Sequence, residues 1–176
     1  EMPPNMVFIQ TSGALAGETT LIVHGAFLWD AGLMTGAGKT LIAVGGGLGM
    51  FTTATKTLSG GRTLENDGSV AWTAGTLINS TNQSASIVND AEWDTFGGVA
   101  LQTSGGGTSS FTNNGVYRKA TGTENHAIGW EFTNSVTGTL EVLAGTVTLL
   151  GGGSSSGVFD VKEEAQLTID SNYTLD

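Results

Sequence analysis

One heptapeptide keeps returning. Leu64-Glu65-Asn66-Asp67-Gly68-Ser69-Val70 comes back as Ile87-Val88-Asn89-Asp90-Ala91-Glu92-Trp93 and as Phe111-Thr112-Asn113-Asn114-Gly115-Val116-Tyr117. It returns once more as Phe132-Thr133-Asn134, with Leu140 following after a two-residue insertion. The asparagines at 66, 89, 113 and 134 are 23, 24 and 21 residues apart, and Val70, Trp93, Tyr117 and Leu140 are 23, 24 and 23 apart. Two columns that hold one period, with no helix-length segment between them, mark a stacked β-architecture in which each repeat is one coil. An all-β sandwich also has short, regularly spaced strands, but nothing in that fold returns the same residue to the same place in every unit.

The pattern extends towards the carboxy end. Leu140/Val142 and Val147/Leu149 alternate with polar residues, Phe159/Val161 and Leu167/Ile169 repeat them, and Tyr173/Leu175 forms a further pair. Period-2 alternation of this kind puts one set of side chains inward and the other into solvent. Turn-forming stretches separate the pairs, which gives about three short strands and three corners per coil. Towards the amino end the repeat fades. Leu21, Val23, Phe27 and Trp29 can share a face, and counting back from Asn66 places earlier corners near Gly45-Gly46-Gly47 and His24. The expected fold is an all-β, right-handed parallel β-helix of about seven coils of roughly 19–24 residues. It occupies residues 6–176 as one domain, after an extended lead-in at residues 1–5 that contains Pro3 and Pro4.

Composition narrows the functions. Glycine occurs 28 times and hydrophobic residues make up 39% of the chain, so it has both the turns and the core to fold, unlike a disordered Gly/Ser polymer. Six Lys and Arg stand against 16 Asp and Glu, and a net charge of −10 argues against a nucleic-acid partner. Only 12% of residues are charged, so the surface must be mostly Thr, Ser, Asn and Gly, a composition that suggests an extracellular or cell-surface location. There is no cysteine for disulfides or thiolate metal sites. No apolar run reaches the roughly 18 residues of a membrane span. The first residues carry no basic-then-apolar leader, so any secretory signal is expected to have been removed.

Few residues invite chemistry. Gly36-Ala37-Gly38-Lys39-Thr40 hints at a phosphate loop, but the glycine required earlier in that motif is replaced by Leu33, and a strand-like Leu41-Ile42-Ala43-Val44 follows where a helix is needed. Asp90, Glu92 and Asp94 form a weak calcium candidate. Aligning the Trp93 and Tyr117 columns instead stacks Asp94, Arg118 and Glu141 as a ladder of alternating charge. The Asn66, Asn89, Asn113 and Asn134 column is best explained as stacked amides that donate and accept along the coil axis. Thr53, Thr55 and Thr57, then Thr121 and Thr123, then Thr146 and Thr148 could form a flat ice-binding array, but their places in the coil differ too much for one file. His24 and His126 have no visible catalytic partners and are expected at surface corners, so no enzyme and no cofactor is expected. Asn79, Asn82 and Asn172 match the glycosylation acceptor pattern, which arises often by chance in an Asn/Thr-rich chain.

Gly138-Thr-Leu-Glu-Val142, Gly145-Thr-Val-Thr-Leu149 and Gly151-Gly-Gly-Ser-Ser-Ser-Gly157-Val-Phe-Asp-Val161 resemble the β-helical repeats of very large secreted bacterial surface proteins, the autotransporter passengers and filamentous adhesins. The likeness runs from about Leu64 to the end. It implies an extracellular, elongated β-helix and carries over no catalytic residue. The resulting expectation is a structural subunit that stacks head to tail on copies of itself, or part of an adhesin stalk, with stacking ends at Val7, Phe8 and Ile9 and at Tyr173, Thr174 and Leu175. The other expectation is a module whose lateral face binds glycans or ice.

Overall fold

The computed structural model describes residues Glu1–Asp176 as 24 strands with no helix. The strands form three parallel sheets of eight, and each sheet takes every third strand, so the chain is a β-solenoid of eight coils. The sequence count of about seven falls one short. Coil 1 (Val7–Gln10, Ala14–Ala16, Leu21–Val23) and coil 2 (Ala26–Trp29, Gly32–Thr35, Lys39–Ile42) lack the asparagine by which coils are recognised. Their register is continuous with the rest: Val23 pairs Ile42, and Ile42 pairs Asn66. Val23 and Ile42 therefore hold the asparagine position, and His24 and the triple glycine lie just beyond it.

Inward side chains of all three sheets meet in one core of 27 buried residues. The first-sheet column runs Phe8, Phe27, Leu48, Val70, Trp93, Tyr117, Leu140 and Phe159, each pairing the next in register. Trp93 and Tyr117 stack with ring centroids 6.4 Å apart, and Phe111 meets both edge-on at 5.1 Å. Such offset and edge-to-face contacts add to the burial term. Leu21, Val23, Phe27 and Trp29 all contact this core, but they come from two sheets separated by the His24-Gly25 corner.

The corner from the third sheet back to the first explains why the heptapeptide recurs. A glycine precedes the first strand of most coils. A Cβ on Gly68 would sit 2.4 Å from the Gly46 carbonyl oxygen, and one on Gly115 would sit 2.2 Å from that of Ala91. The backbones of successive coils approach too closely there for a side chain. The asparagine two residues earlier closes the same corner, as where Gly68 N–H donates to Asn66 Oδ1 at 3.2 Å. Asn-x-Gly recurs at Asn66-Gly68 and Asn113-Gly115, while Ala91 stands in the glycine's place after Asn89 and a two-residue insertion separates Gly138 from Asn134.

The lead-in joins the third sheet. Met2 forms a parallel bridge with Val23, donates its N–H to Ile22 O at 2.8 Å and accepts from His24 N–H at 3.0 Å. Its side chain is 6% exposed.

Candidate functional site

The four repeated asparagines form a single buried ladder. Asn66 Nδ2 donates to Asn89 Oδ1 at 2.7 Å, Asn89 Nδ2 to Asn113 Oδ1 at 2.8 Å, and Asn113 Nδ2 to Asn134 Oδ1 at 2.9 Å. Asn134 Nδ2 ends the run on Ser155 Oγ at 3.2 Å. Each Nδ2 also donates to a carbonyl just past the corner that follows the next coil: Glu92, Val116, Thr139 and Val158 in turn. All four residues are fully buried, and the amides are satisfied by one another and by corner carbonyls.

On the outer face of the first sheet, Arg118 lies between two carboxylates. Its Nη1 is 2.7 Å from Asp94 Oδ1 and its Nε is 2.6 Å from Glu141 Oε2, side by side through the parallel register. The hydrogen bond to Glu141, with the negative charge on both sides, raises the guanidinium above its ordinary pKa. The side chain is a quarter exposed, so the ladder contributes little. Arg118→Ala should lower stability by about 0.5–1 kcal/mol. Thermal melts should show that difference shrinking in 1 M salt, where exposed charge pairs are screened.

The calcium candidates are not brought together. Asp90 sits on the corner and accepts from Asn114 Nδ2 at 2.7 Å, Asp94 is held by Arg118, and Glu92 projects from the strand on its own. No three His, Asp or Glu side chains converge as metal ligands. Lys39 and Thr40 begin the strand Lys39–Ile42, and Lys39 pairs with Glu65 at 2.6 Å. The threonines do not make one array: Thr53 and Thr55 precede the strand Lys56–Leu58, Thr123 lies in a turn, and Thr148 Oγ1 donates to Asn125 Oδ1 at 2.9 Å. Of the glycosylation matches, Asn79 is buried, donating to Gln83 O and accepting from Ser104 N–H, while Asn82 and Asn172 are exposed.

Four basic side chains that the sequence places on the surface, or passes over, are buried. His126 is not at an exposed corner. It lies inward on the strand Asn125–Ile128, fully buried, where Nδ1–H donates to Val99 O at 2.6 Å and Nε2 accepts from the Tyr117 hydroxyl. Burial, opposed by the Val99 bond and helped by nearby Lys119, pushes its pKa down to about 4.

Lys56 and Lys119 each turn into a corner and bind carbonyls. Lys56 Nζ donates to Thr52 O at 2.8 Å and Ala54 O at 2.9 Å, and Lys119 Nζ to Thr121 O at 2.9 Å and Gly122 O at 3.1 Å. Arg62 spans three coils, reaching Thr40 Oγ1, Lys39 O, Thr35 O and Gly17 O. Desolvation lowers the pKa of all three cations. Carbonyl dipoles compensate them, which makes them pins for irregular corners; the signal for this in the sequence is a basic residue flanked by a stretch rich in Ser, Thr or Gly, before it at Lys56 and Arg62 and after it at Lys119.

The two end coils differ from those inside. Val142 and Leu149 are fully buried, whereas Val161 and Ile169, their partners one coil on, are 39% and 42% exposed. Phe159, Leu167 and Tyr173 are half-buried, and Leu175 is exposed. At the opposite end Phe8, Leu15 and Leu21 pack on the core from one side only, beside an apolar hollow that Met6 also lines. Val7 and Ile9 point outward from the first strand, and Thr174 outward from the last, so of the expected stacking residues Phe8, Tyr173 and Leu175 lie on the inward columns.

The chain matches no family model, no curated protein and no solved structure.

Proposed function

We propose that this chain is a structural β-solenoid of an extracellular assembly, whose end faces take further coils. Those coils come from a second copy in a head-to-tail filament, or from neighbouring repeats in an adhesin stalk. The observation that carries the reading is the half-exposed apolar column set of coil 8, which continues in register from columns that are fully buried one coil earlier. A parallel sheet edge with an open apolar interior is a template for another strand, and a heterologous contact between unlike ends propagates as an open fibre. A Thr/Ser/Asn/Gly surface with sparse charge and the likeness to adhesin repeats support the extracellular setting.

Purified chain at rising concentration should give unbranched fibres one solenoid wide in negative-stain electron microscopy, with a matching loss of monomer in sedimentation velocity. Leu175→Asp places a charge on the open column where nothing in the monomer covers it. This variant should keep the monomer fold and lose the fibres. A wild-type chain that stays monomeric at every concentration would remove the filament.

A further inference from the structure

The corner between the second and third sheets carries a step. In coils 4 and 5 the second and third strands are joined by residues 79–85 and 103–109, whereas in coils 6 and 7 they are joined by 129–130 and 150–152. The segment from Thr103 to Ser109 therefore overhangs two sharp corners. At Gly129 and Gly151 these corners run close against the backbone of the preceding coil: a Cβ at 151 would lie 2.1 Å from Trp130 O, and one at 129 would lie 3.0 Å from Leu101 O. Two adjoining hollows of about 200 and 300 Å³ result, and they share Thr103 and Gly129.

Their lining combines uncommitted polar groups with an apolar shelf. Glu131 makes no ion pair, and the Thr103 hydroxyl and Gln102 carboxamide make no hydrogen bond within the protein, although all three side chains are exposed at the hollow. Ser109 Oγ accepts from Ala85 N–H at 3.1 Å, which leaves its own proton to donate. Ala127 and Leu150, the latter 43% exposed, provide the apolar side. No lysine or arginine lines either hollow, so a phosphate, sulfate or uronate would meet only Glu131 and be repelled. The arrangement suits a ligand with many hydroxyls and one C–H face, because a few placed polar groups beside apolar surface are what orient such a molecule.

We propose that this corner is a binding site for a neutral saccharide, with Glu131 and Thr103 taking ring hydroxyls and Leu150 and Ala127 lying under the C–H face. Two coil spacings give the site a length of roughly 10 Å, comparable to a disaccharide. It lies on the lateral surface and is independent of end stacking.

Affinity gel electrophoresis in galactomannan, xyloglucan or mixed-linkage β-glucan tests it. At least one polymer should retard the wild-type chain. Glu131→Ala and Thr103→Ala should each weaken retardation at least tenfold, while Thr168→Ala in coil 8 should not. The two site variants alter exposed, unpaired side chains, and unchanged circular dichroism and melting should confirm that they fold. Three results would overturn the site: no retardation in any polymer, equal retardation of the variants and the wild type, or calorimetric binding of calcium that depends on Glu131 without any polymer being retained.

Discussion

Asn113→Ala should be among the most damaging single changes in the ladder, together with Asn89→Ala, whose bonds are equivalent, lowering unfolding stability by about 3 kcal/mol. Asn113 is bonded on both sides, accepting from Asn89 and donating to Asn134 as well as to the Gly115 and Thr139 carbonyls. Truncation takes the acceptor from one Asn89 N–H and the donor from Asn134 Oδ1, removes one donor each from the Gly115 and Thr139 carbonyls, and opens a small cavity in a fully buried corner. The loss should appear as a fall of about 10 °C in the midpoint of a circular-dichroism melt. Asn66→Ile should be milder, because the coil before it already holds Ile42 in the same column, so only one side of the amide ladder is broken. Equal losses at 66 and 113 would mean that the corners, not the amide-to-amide bonds, carry the energy.

Acid should unfold the chain earlier than its surface carboxylates alone require. His126 has a folded pKa of about 4 against an ordinary 6.5, so between those values the unfolded state binds the proton and the folded state does not. Its contribution is complete above pH 6.5, falls as pH drops, and is lost by pH 4, a change of about 3 kcal/mol. The structural reason is burial: protonation would place a charge on a fully buried ring near Lys119, and it would end the bond in which Nε2 accepts from the Tyr117 hydroxyl. Urea midpoints measured from pH 7 to pH 4 should fall with this slope in the wild type. His126→Phe should flatten the slope over the same range, whatever its effect at pH 7. An unchanged slope in the variant would assign the acid sensitivity to other groups.

Much of the ladder was legible because its physics is columnar. Parallel in-register coils place like positions above one another, so an asparagine that closes a corner and bonds its counterpart must recur at the coil length. Asp94, Arg118 and Glu141 align by the same rule once the aromatic columns are superposed. Coils 1 and 2 were faint because Val23 and Ile42 can occupy the asparagine position without an amide, which leaves only hydrophobic alternation to mark them. His126 was misplaced because Glu124-Asn125-His126 reads as turn chemistry. Alternation along one strand fixes two faces, but it does not say where the corner ends and inward counting resumes.

The sequence by itself determined the coil, its period, the parallel stacking and the two repeating polar columns, since each follows from contacts between equivalent positions. Only the tertiary structure decided the fate of Lys56, Arg62, Lys119 and His126, because the carbonyls and hydroxyl that make their burial tolerable come from corners closed by other parts of the coil. It also decided the lateral hollow. Thr103 to Ser109 is an ordinary Gly/Ser loop in sequence, and it overhangs a cavity only because the two coils stacked beneath it turn the same corner in two and three residues.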